Sequence, residues 1–152
     1  MKLIECYIRE IGIPFKANFK HALASRTRTS AVLFEIITDE GVHGYGESTP
    51  REYVTNESIR STLMTLKEIA ERLIGVELDP THNVIEQIEA FEQTLFNDGM
   101  NAPSTKCALE LSLFDAIGKT CGKPALEFLG RQKTTTIYYS GVISDESPDQ
   151  TK

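Results

Sequence analysis

The sequence predicts an α+β fold in which a three-stranded antiparallel meander packs on a small helical bundle. Two observations lead to this prediction. Segments rich in β-branched residues dominate the first third of the chain, whereas apolar residues at helical spacing dominate the middle. The 152 residues are 40% hydrophobic and 25% charged, so the chain can bury a core without disulfide bonds.

Three segments have the composition of β-strands. The first covers residues 2–14 and is predicted to end near Pro14. The second covers residues 30–38 and the third residues 42–47. Because only the short turn at 39–41 separates them, the second and third strands are predicted to form an antiparallel hairpin.

Three further segments have the apolar periodicity of helices. The first is predicted to follow an N-cap at Asn56, and the second an N-cap at Thr81. The third starts around Pro103 and runs to about Cys121, and apolar residues surround it almost completely, so it is predicted to be central and buried. The predicted apolar positions of the three helices are Ile59, Leu63, Leu66, Ala70 and Leu73; Val84, Ile85, Ile88, Phe91 and Leu95; and Cys107, Ala108, Leu109, Leu111, Leu113, Phe114, Ala116 and Ile117.

Charge and composition exclude several classes of partner. The formal net charge is −6, and no dense Lys/Arg stripe is present, so nucleic acid is not expected to bind. No apolar run is long enough for a transmembrane helix, so no membrane partner is expected either. Glu5 falls where a signal peptide needs apolar residues, which favours the cytoplasm. The three cysteines are expected to be reduced and mostly buried.

The chemically reactive residues form no recognisable catalytic motif. The three histidines are far apart and share no metal-ligand spacing. Glu47 and Glu52 are separated by a loop, and nothing else supports a catalytic carboxylate pair. Arg26, Arg28 and Arg51 fall in polar segments, where they are either solvated side chains or forks that recognise a carboxylate. The residue types alone leave both interpretations open.

Two segments resemble one enzyme family. Gly41-Val42-His43-Gly44-Tyr45-Gly46-Glu47-Ser48-Thr49-Pro50 resembles the G-x-x-G-x-G-E-x-x-P loop of the enolase superfamily. Residues 107–119, with Gly122-Lys123-Pro124 through Leu129-Gly130, resemble the last capping-domain helix of its mandelate racemase/muconate lactonizing group. The form Pro50-Arg51-Glu52-Tyr53-Val54-Thr55, with Pro14 and Phe19-Lys20-His21-Ala22-Leu23 upstream, is most similar to dipeptide epimerases such as the Ala-Glu epimerases.

The resemblance implies that the chain consists of two parts. Residues 1–130 would be the capping domain, and residues 131–152 the start of a truncated (β/α)-barrel, with its first strand at 134–144 and a helix start at Ser147-Pro148. In this family the barrel carries the Mg²⁺ ligands and the lysine acid/base pair that removes a proton next to a carboxylate. Neither the family's motif for the lysine pair nor its Asp/Glu motifs for the Mg²⁺ ligands are present in the 152 residues. We therefore expect no catalytic residue and no bound metal in this chain, and no activity from the chain alone.

The resemblance also implies which residues contact substrate. Two flexible loops, at 15–29 and 47–58, would close over a small carboxylate substrate, a dipeptide or an acyl amino acid. The residues of this chain assigned to substrate binding are Phe19, His21, Arg26, Arg51, Tyr53, Val54, Thr55 and Ser140. Some Ala-Glu epimerases have a substrate-binding arginine where this chain has Ala24, so the substrate could be a dipeptide other than Ala-Glu. The alternative families are the muconate cycloisomerases, the o-succinylbenzoate synthases and the N-acylamino acid racemases.

Without a closing surface, both loops are expected to be mobile or displaced. An exposed strand edge at 134–144 is further expected to drive homo-oligomer formation through the residues after Gly130. A non-catalytic, self-associating domain is therefore the alternative function.

Overall fold

The computed structural model describes residues 1–21, 24–96 and 101–140. Side chains are described at all of these positions except those within residues 17–25. The elements in chain order are β1 (Leu3–His21), β2 (Ala24–Thr38), β3 (His43–Ser48), α1 (Glu52–Thr55), α2 (Ile59–Leu73), α3 (Val84–Leu95), α4 (Pro103–Cys121) and a 3-10 turn (Ala125–Glu127).

The three strands form an antiparallel sheet in the order β1-β2-β3. Tyr7 of β1 pairs with Glu35 of the central strand, which pairs in turn with Tyr45 of β3. Alternate residues of β2 are fully buried and belong to the core shared with the helices, namely Val32, Phe34 and Ile36. This arrangement confirms the predicted α+β meander on helices.

The first two strands are longer than the sequence predicts. β1 continues through Pro14 to His21, and β2 begins at Ala24, so most of the expected loop at 15–29 is the end of a long hairpin. Pairing resumes at Phe19 and Arg26 after an irregularity beyond Pro14. The prediction that β1 ends near Pro14 was wrong because β1 is an edge strand, where proline removes an N–H at little cost to the ladder.

Helix α4 lies directly on strand β3. A Cβ on Gly46 would be 1.8 Å from the carbonyl oxygen of Ala108, and one on Gly44 would be 2.2 Å from that of Ser112. Side chains of α4 also occupy the outer edge of β3. Asp115 Oδ2 accepts from the Tyr45 amide at 2.9 Å, and Lys119 Nζ donates to the His43 carbonyl at 2.7 Å. The helix therefore covers both the face and the edge of this strand.

Two predicted helix starts were wrong, because Asn56 and Thr81 are engaged in other local structure. Helix α2 is capped by Ser58, whose side chain accepts from the Ser61 amide in a capping box. Asn56 instead ends the short helix α1 in a left-handed conformation, with φ of 59°. Helix α3 starts after Asn83, and Thr81 is engaged in a turn with Asp79.

The helix faces that are buried differ in part from the predicted ones. Leu111 is 48% exposed and Cys107 is exposed, because the sheet, α2 and α3 leave one side of α4 uncovered. The expectation that α4 is enclosed on all sides was therefore wrong, as was burial of Cys107. On α3, Ile85 is exposed and Glu92 is buried. The residues buried on the three helices are Thr62, Leu66, Ile69 and Leu73; Val84, Ile88, Glu92 and Leu95; and Thr105, Ala108, Leu109, Ser112, Leu113, Ala116, Ile117 and Gly118.

The residues after Gly130 form no strand as far as Ser140. Ile137, Tyr138 and Tyr139 are 69%, 92% and 87% exposed. The predicted strand was wrong over 134–140, since no neighbouring strand in the described part of the chain pairs with this backbone. Its remainder and the predicted helix start at Ser147 lie outside the described residues. None of the helices in the described ranges is long and apolar enough to cross a membrane.

Candidate functional site

A cavity of about 370 Å³ lies between β2 and the segment that joins β3 to α2. Strand β2 contributes Arg26, Arg28 and Ser30, whose side chains share one face because residues two apart on a strand point the same way. The joining segment contributes Pro50, Arg51, Glu52, Tyr53 and Glu57, and the first residue of α2, Ile59, completes the lining.

Arg26 and Tyr53 connect the two sides of the cavity. The Arg26 Nη2 donates to the Tyr53 hydroxyl at 3.0 Å, and the guanidinium lies 5.3 Å from the centre of the tyrosine ring. This contact combines a hydrogen bond with a cation–π interaction. It joins residues 27 positions apart in the chain, so it links the β1–β2 hairpin to α1.

Arg51 holds the joining segment against β2. Its Nη1 donates to the carbonyls of Pro50 at 2.8 Å and Ser30 at 3.3 Å, and its Nη2 donates to Thr29 Oγ1 at 2.9 Å. All three acceptors are neutral. Arg51 therefore adds a positive charge to the cavity wall, while its donors are used to position the segment.

Arg28 is exposed and lies over Gly12 on the neighbouring strand, where an added Cβ would be 1.8 Å from Nη2. Within the described ranges, neither Arg28 nor Arg26 forms an ion pair with a carboxylate. The β2 side of the cavity thus carries two arginines, while Glu52 and Glu57 contribute carboxylates to the opposite side. An arginine fork of this kind is suited to a carboxylate or another planar anion.

The predicted site residues are brought together only in part. Arg26, Arg51 and Tyr53 line the cavity, and Thr55 is next to it, with its Oγ1 within 3.5 Å of the Arg51 amide. Val54, on the same short helix, is 69% exposed and Ser140 is exposed in the tail, and neither lines the cavity. The positions of Phe19 and His21 are described for the backbone alone, which pairs with Arg26 and Ala24 in the hairpin. Whether any of these residues binds substrate stays a prediction.

The sequence leaves a carboxylate-binding role for Arg28 and a catalytic role for Glu52 open, without assigning either to substrate binding, and it does not single out Glu57. The signal for Arg28 was present, since it is two residues from Arg26 on what proves to be a strand. Glu57 had no comparable signal, because its place in the cavity wall depends on how the joining segment folds back onto α4.

A second polar cluster lies on the sheet face opposite the helices, around Glu35. His43 Nδ1 and the Tyr45 hydroxyl lie 2.8 and 2.9 Å from Glu35 Oε1, and Arg9 Nη2 lies 3.4 Å from Oε2. The hydrogen bond with His43, together with the one from Tyr45 and the charge of Arg9, holds the pKa of Glu35 below its usual value despite its burial. The carboxylate is stabilised by its own neighbours, so this cluster supports the sheet. The described residues contain no group of three or more His, Cys, Asp or Glu side chains arranged to hold a metal ion.

Comparison with known proteins places these features in a family context. Residues 3–130 match the domain described as "Mandelate racemase / muconate lactonizing enzyme, N-terminal domain". The hydrophobic dipeptide epimerase of Enterococcus faecalis is 29% identical over 133 residues, which is 86% of this chain and 35% of that protein. The N-succinyl-L-Arg/Lys racemase of Bacillus cereus is 28% identical over 150 residues, which is 98% of this chain and 39% of that protein.

The similarity extends to the three-dimensional structures. The crystal structure of the Bacillus cereus racemase superposes with a TM-score of 0.84 over 99% of this chain and 39% of that chain. The structure of the Enterococcus faecalis epimerase complexed with Mg and the dipeptide L-Leu-L-Tyr gives 0.74 over 86% and 35%. The chain thus spans well under half the length of the relatives it matches.

Proposed function

The chain belongs to the mandelate racemase / muconate lactonizing enzyme N-terminal domain family, and on that basis we propose that residues 1–130 are the capping domain of a dipeptide epimerase or amino-acid racemase. In this role the domain recognises the variable part of the substrate. The reaction itself is the exchange of a proton on the carbon next to a carboxylate. Residues 131–140 would then lead from the capping domain into a second domain.

The observation that carries this proposal is the cavity between Arg26, Arg28 and Tyr53. It lies on the segments that the family resemblance assigns to substrate recognition, and its β2 wall is cationic. The name of the Bacillus cereus racemase includes a succinyl group. That of the L-Ala-D/L-Glu epimerase of Bacillus subtilis, which is 28% identical over 151 residues (99% of this chain and 39% of that protein), includes a glutamate. Each of these groups has a carboxylate beyond the one at the reacting centre. We infer that the substrate of this protein likewise carries a second carboxylate, which Arg26 and Arg28 would bind.

The chemistry of proton transfer is not assigned to this chain. The structure of the Enterococcus faecalis relative contains Mg, whose favoured ligands are carboxylate and other oxygen atoms. The residues described here include no matching cluster of three or more acidic or histidine side chains. They do not fit a magnesium site, so we propose binding and orientation of substrate as the contribution of residues 1–140.

Titration of the 152-residue chain with L-Ala-L-Glu and L-Ala-L-Gln tests this role. The two dipeptides have nearly the same shape and differ in one negative charge. We expect the NMR signals of the Arg26 and Arg28 side-chain N–H groups and of Tyr53 to shift with L-Ala-L-Glu and to change much less with L-Ala-L-Gln, because only the carboxylate pairs with the arginine fork.

The matched variants are Arg26→Ala and Arg60→Ala. Arg60 is an exposed arginine on α2 outside the cavity lining, so its removal changes net charge equally. We expect the response to L-Ala-L-Glu to be lost in the first variant and kept in the second. Equal responses to both dipeptides, or a response unaffected by Arg26→Ala, would contradict the proposal.

Self-association is a second candidate role, favoured by the exposed Ile137, Tyr138 and Tyr139. Burying each side chain of this size gains about 1.5–3 kcal/mol, so pairing of residues 131–152 between two copies would be favourable. Size-exclusion chromatography with light scattering should give a dimer or larger assembly for the full chain and a monomer for a version ending at Gln132. A monomeric full chain, or association that the deletion leaves unchanged, would exclude this role for the tail.

A further inference from the structure

Residues 49–56 make up most of the segment between β3 and α2. The residues on either side of this loop, Ser48 and Glu57, both contact the first turn of α4. At its start, Ser48 Oγ lies 2.7 Å from Ser104 Oγ. At its end, Glu57 Oε2 accepts from the Ser104 amide at 2.7 Å. Glu57 Oε1 accepts from both the amide and the hydroxyl of Thr105, at 2.9 and 2.7 Å. Both ends of loop 49–56 are therefore attached to the first turn of one helix.

The attachment at Glu57 is buried and charge-assisted. Glu57 is 4% exposed and Thr105 is 1% exposed. The residue preceding α4, Ala102, has no side chain that can cap the helix, so the carboxylate of Glu57 provides the cap from 47 residues away in sequence. A carboxylate at a helix N-terminus gains both from the free amides and from the helix dipole. Removing it leaves the amides of Ser104 and Thr105 without this acceptor, and the second of them is buried.

The same loop carries the residues that shape the cavity. Arg51 reaches from it to Thr29 and Ser30 on β2, and Tyr53 reaches to Arg26. The position of the cavity wall therefore depends on where loop 49–56 is held. The hairpin and loop 49–56 are joined to each other, and the loop is joined to α4. Whether the two segments are mobile stays a prediction.

We propose that Glu57 is a positioning residue that holds loop 49–56 on α4, so that Tyr53 stands against Arg26 before any ligand binds. The benefit of a pre-positioned Tyr53 for ligand recognition rests on the proposed function. A wall that is already ordered loses less conformational entropy when a ligand arrives. Glu57 does not need to touch the ligand for this effect.

Amide hydrogen exchange of loop 49–56 and the NMR signal of the Arg26 side chain test the proposal on the ligand-free 152-residue chain. The amides of Val54 and Thr55 donate to the Arg51 carbonyl and that of Asn56 to the Glu52 carbonyl. Their exchange therefore reports the opening of α1. In Glu57→Ala we expect these amides to exchange at least about tenfold faster and the Arg26 signal to move toward that of a free arginine. In Glu57→Gln we expect a smaller change in the same direction, since one of the two acceptor oxygens remains.

The matched control is Ser58→Ala, the neighbouring residue, which removes the N-cap of α2 and leaves the contacts of Glu57 to α4 intact. It should lower thermal stability without changing the exchange of loop 49–56 or the Arg26 signal. If Glu57→Ala does not fold, Glu57→Gln is judged by the same two readouts. Unchanged loop exchange in the Glu57 variants, or an equal change in Ser58→Ala, would overturn the proposal. Because no ligand is used, the result does not depend on the outcome of the dipeptide titration.

Discussion

Substitution of Gly46 by alanine is expected to destabilise the fold by about 3 kcal/mol or more. The added Cβ would lie 1.8 Å from the Ala108 carbonyl oxygen and 2.9 Å from the Ser112 amide nitrogen. Both contacts are with the backbone of α4, which cannot rotate away as a side chain can. Relief requires α4 to move off strand β3, and that opens the core around Leu109 and Leu113, which are fully buried.

Urea-induced unfolding measures this effect, with Gly12→Ala as the matched control. At Gly12 an added Cβ also meets an atom at 1.8 Å, but that atom is the end of the flexible, exposed Arg28 side chain. We expect Gly12→Ala to change the free energy of unfolding by less than about 1 kcal/mol. Equal stability of the two variants would show that α4 does not require close contact with β3.

The second large effect concerns the buried Glu92 on α3. Its Oε2 lies 2.7 Å from Lys106 Nζ, whereas its Oε1 is buried without a hydrogen-bond donor in the described part of the chain. Lys106 also faces Glu110, at 3.7 Å, so one positive charge serves two carboxylates. Burial raises the pKa of Glu92 from 4.5 to about 7. The neighbouring Glu110 carboxylate adds to this increase, and Lys106 opposes it.

The sign of the pH dependence follows from that shift. Between about pH 4.5 and pH 7 the folded chain holds a proton at Glu92 that the unfolded chain has released. The contribution of Glu92 to stability is therefore fully present below about pH 4.5 and is lost as the pH rises through 7. At higher pH the folded state contains a buried carboxylate that Lys106 compensates only in part.

We expect Glu92→Gln to be more stable than the native chain at about pH 8, by roughly 1–3 kcal/mol, and nearly equal to it below about pH 4.5. A glutamine amide can accept from Lys106 and donate toward Glu110, so both contacts are kept without the charge. Thermal unfolding across this pH range provides the measurement. The control, Glu89→Gln, removes the same charge from an exposed position on α3 and should leave the pH dependence unchanged. A pH profile unaffected by Glu92→Gln would contradict the raised pKa.

Local sequence determined the elements whose stability depends on near neighbours. Helix α4 begins at Pro103 and ends at Cys121, as predicted, because proline suits the first helical position and Gly122 adopts the left-handed conformation that ends a helix. The short turn between β2 and β3 also produced the predicted hairpin. In each case the physical cause lies within a few residues, so it can be read from the sequence.

Only the tertiary structure decided where long-range contacts replace local rules. Pro14 does not end β1, because no strand among the described residues pairs with its outer edge. Glu92 is buried although a charged residue is ordinarily exposed. The cap of α4 comes from Glu57, and the contact of Arg26 with Tyr53 connects the two sides of the cavity. Residues 27 to 48 positions apart form these last contacts. Sequence spacing cannot specify them, because their geometry depends on how the hairpin, the joining loop and α4 pack together.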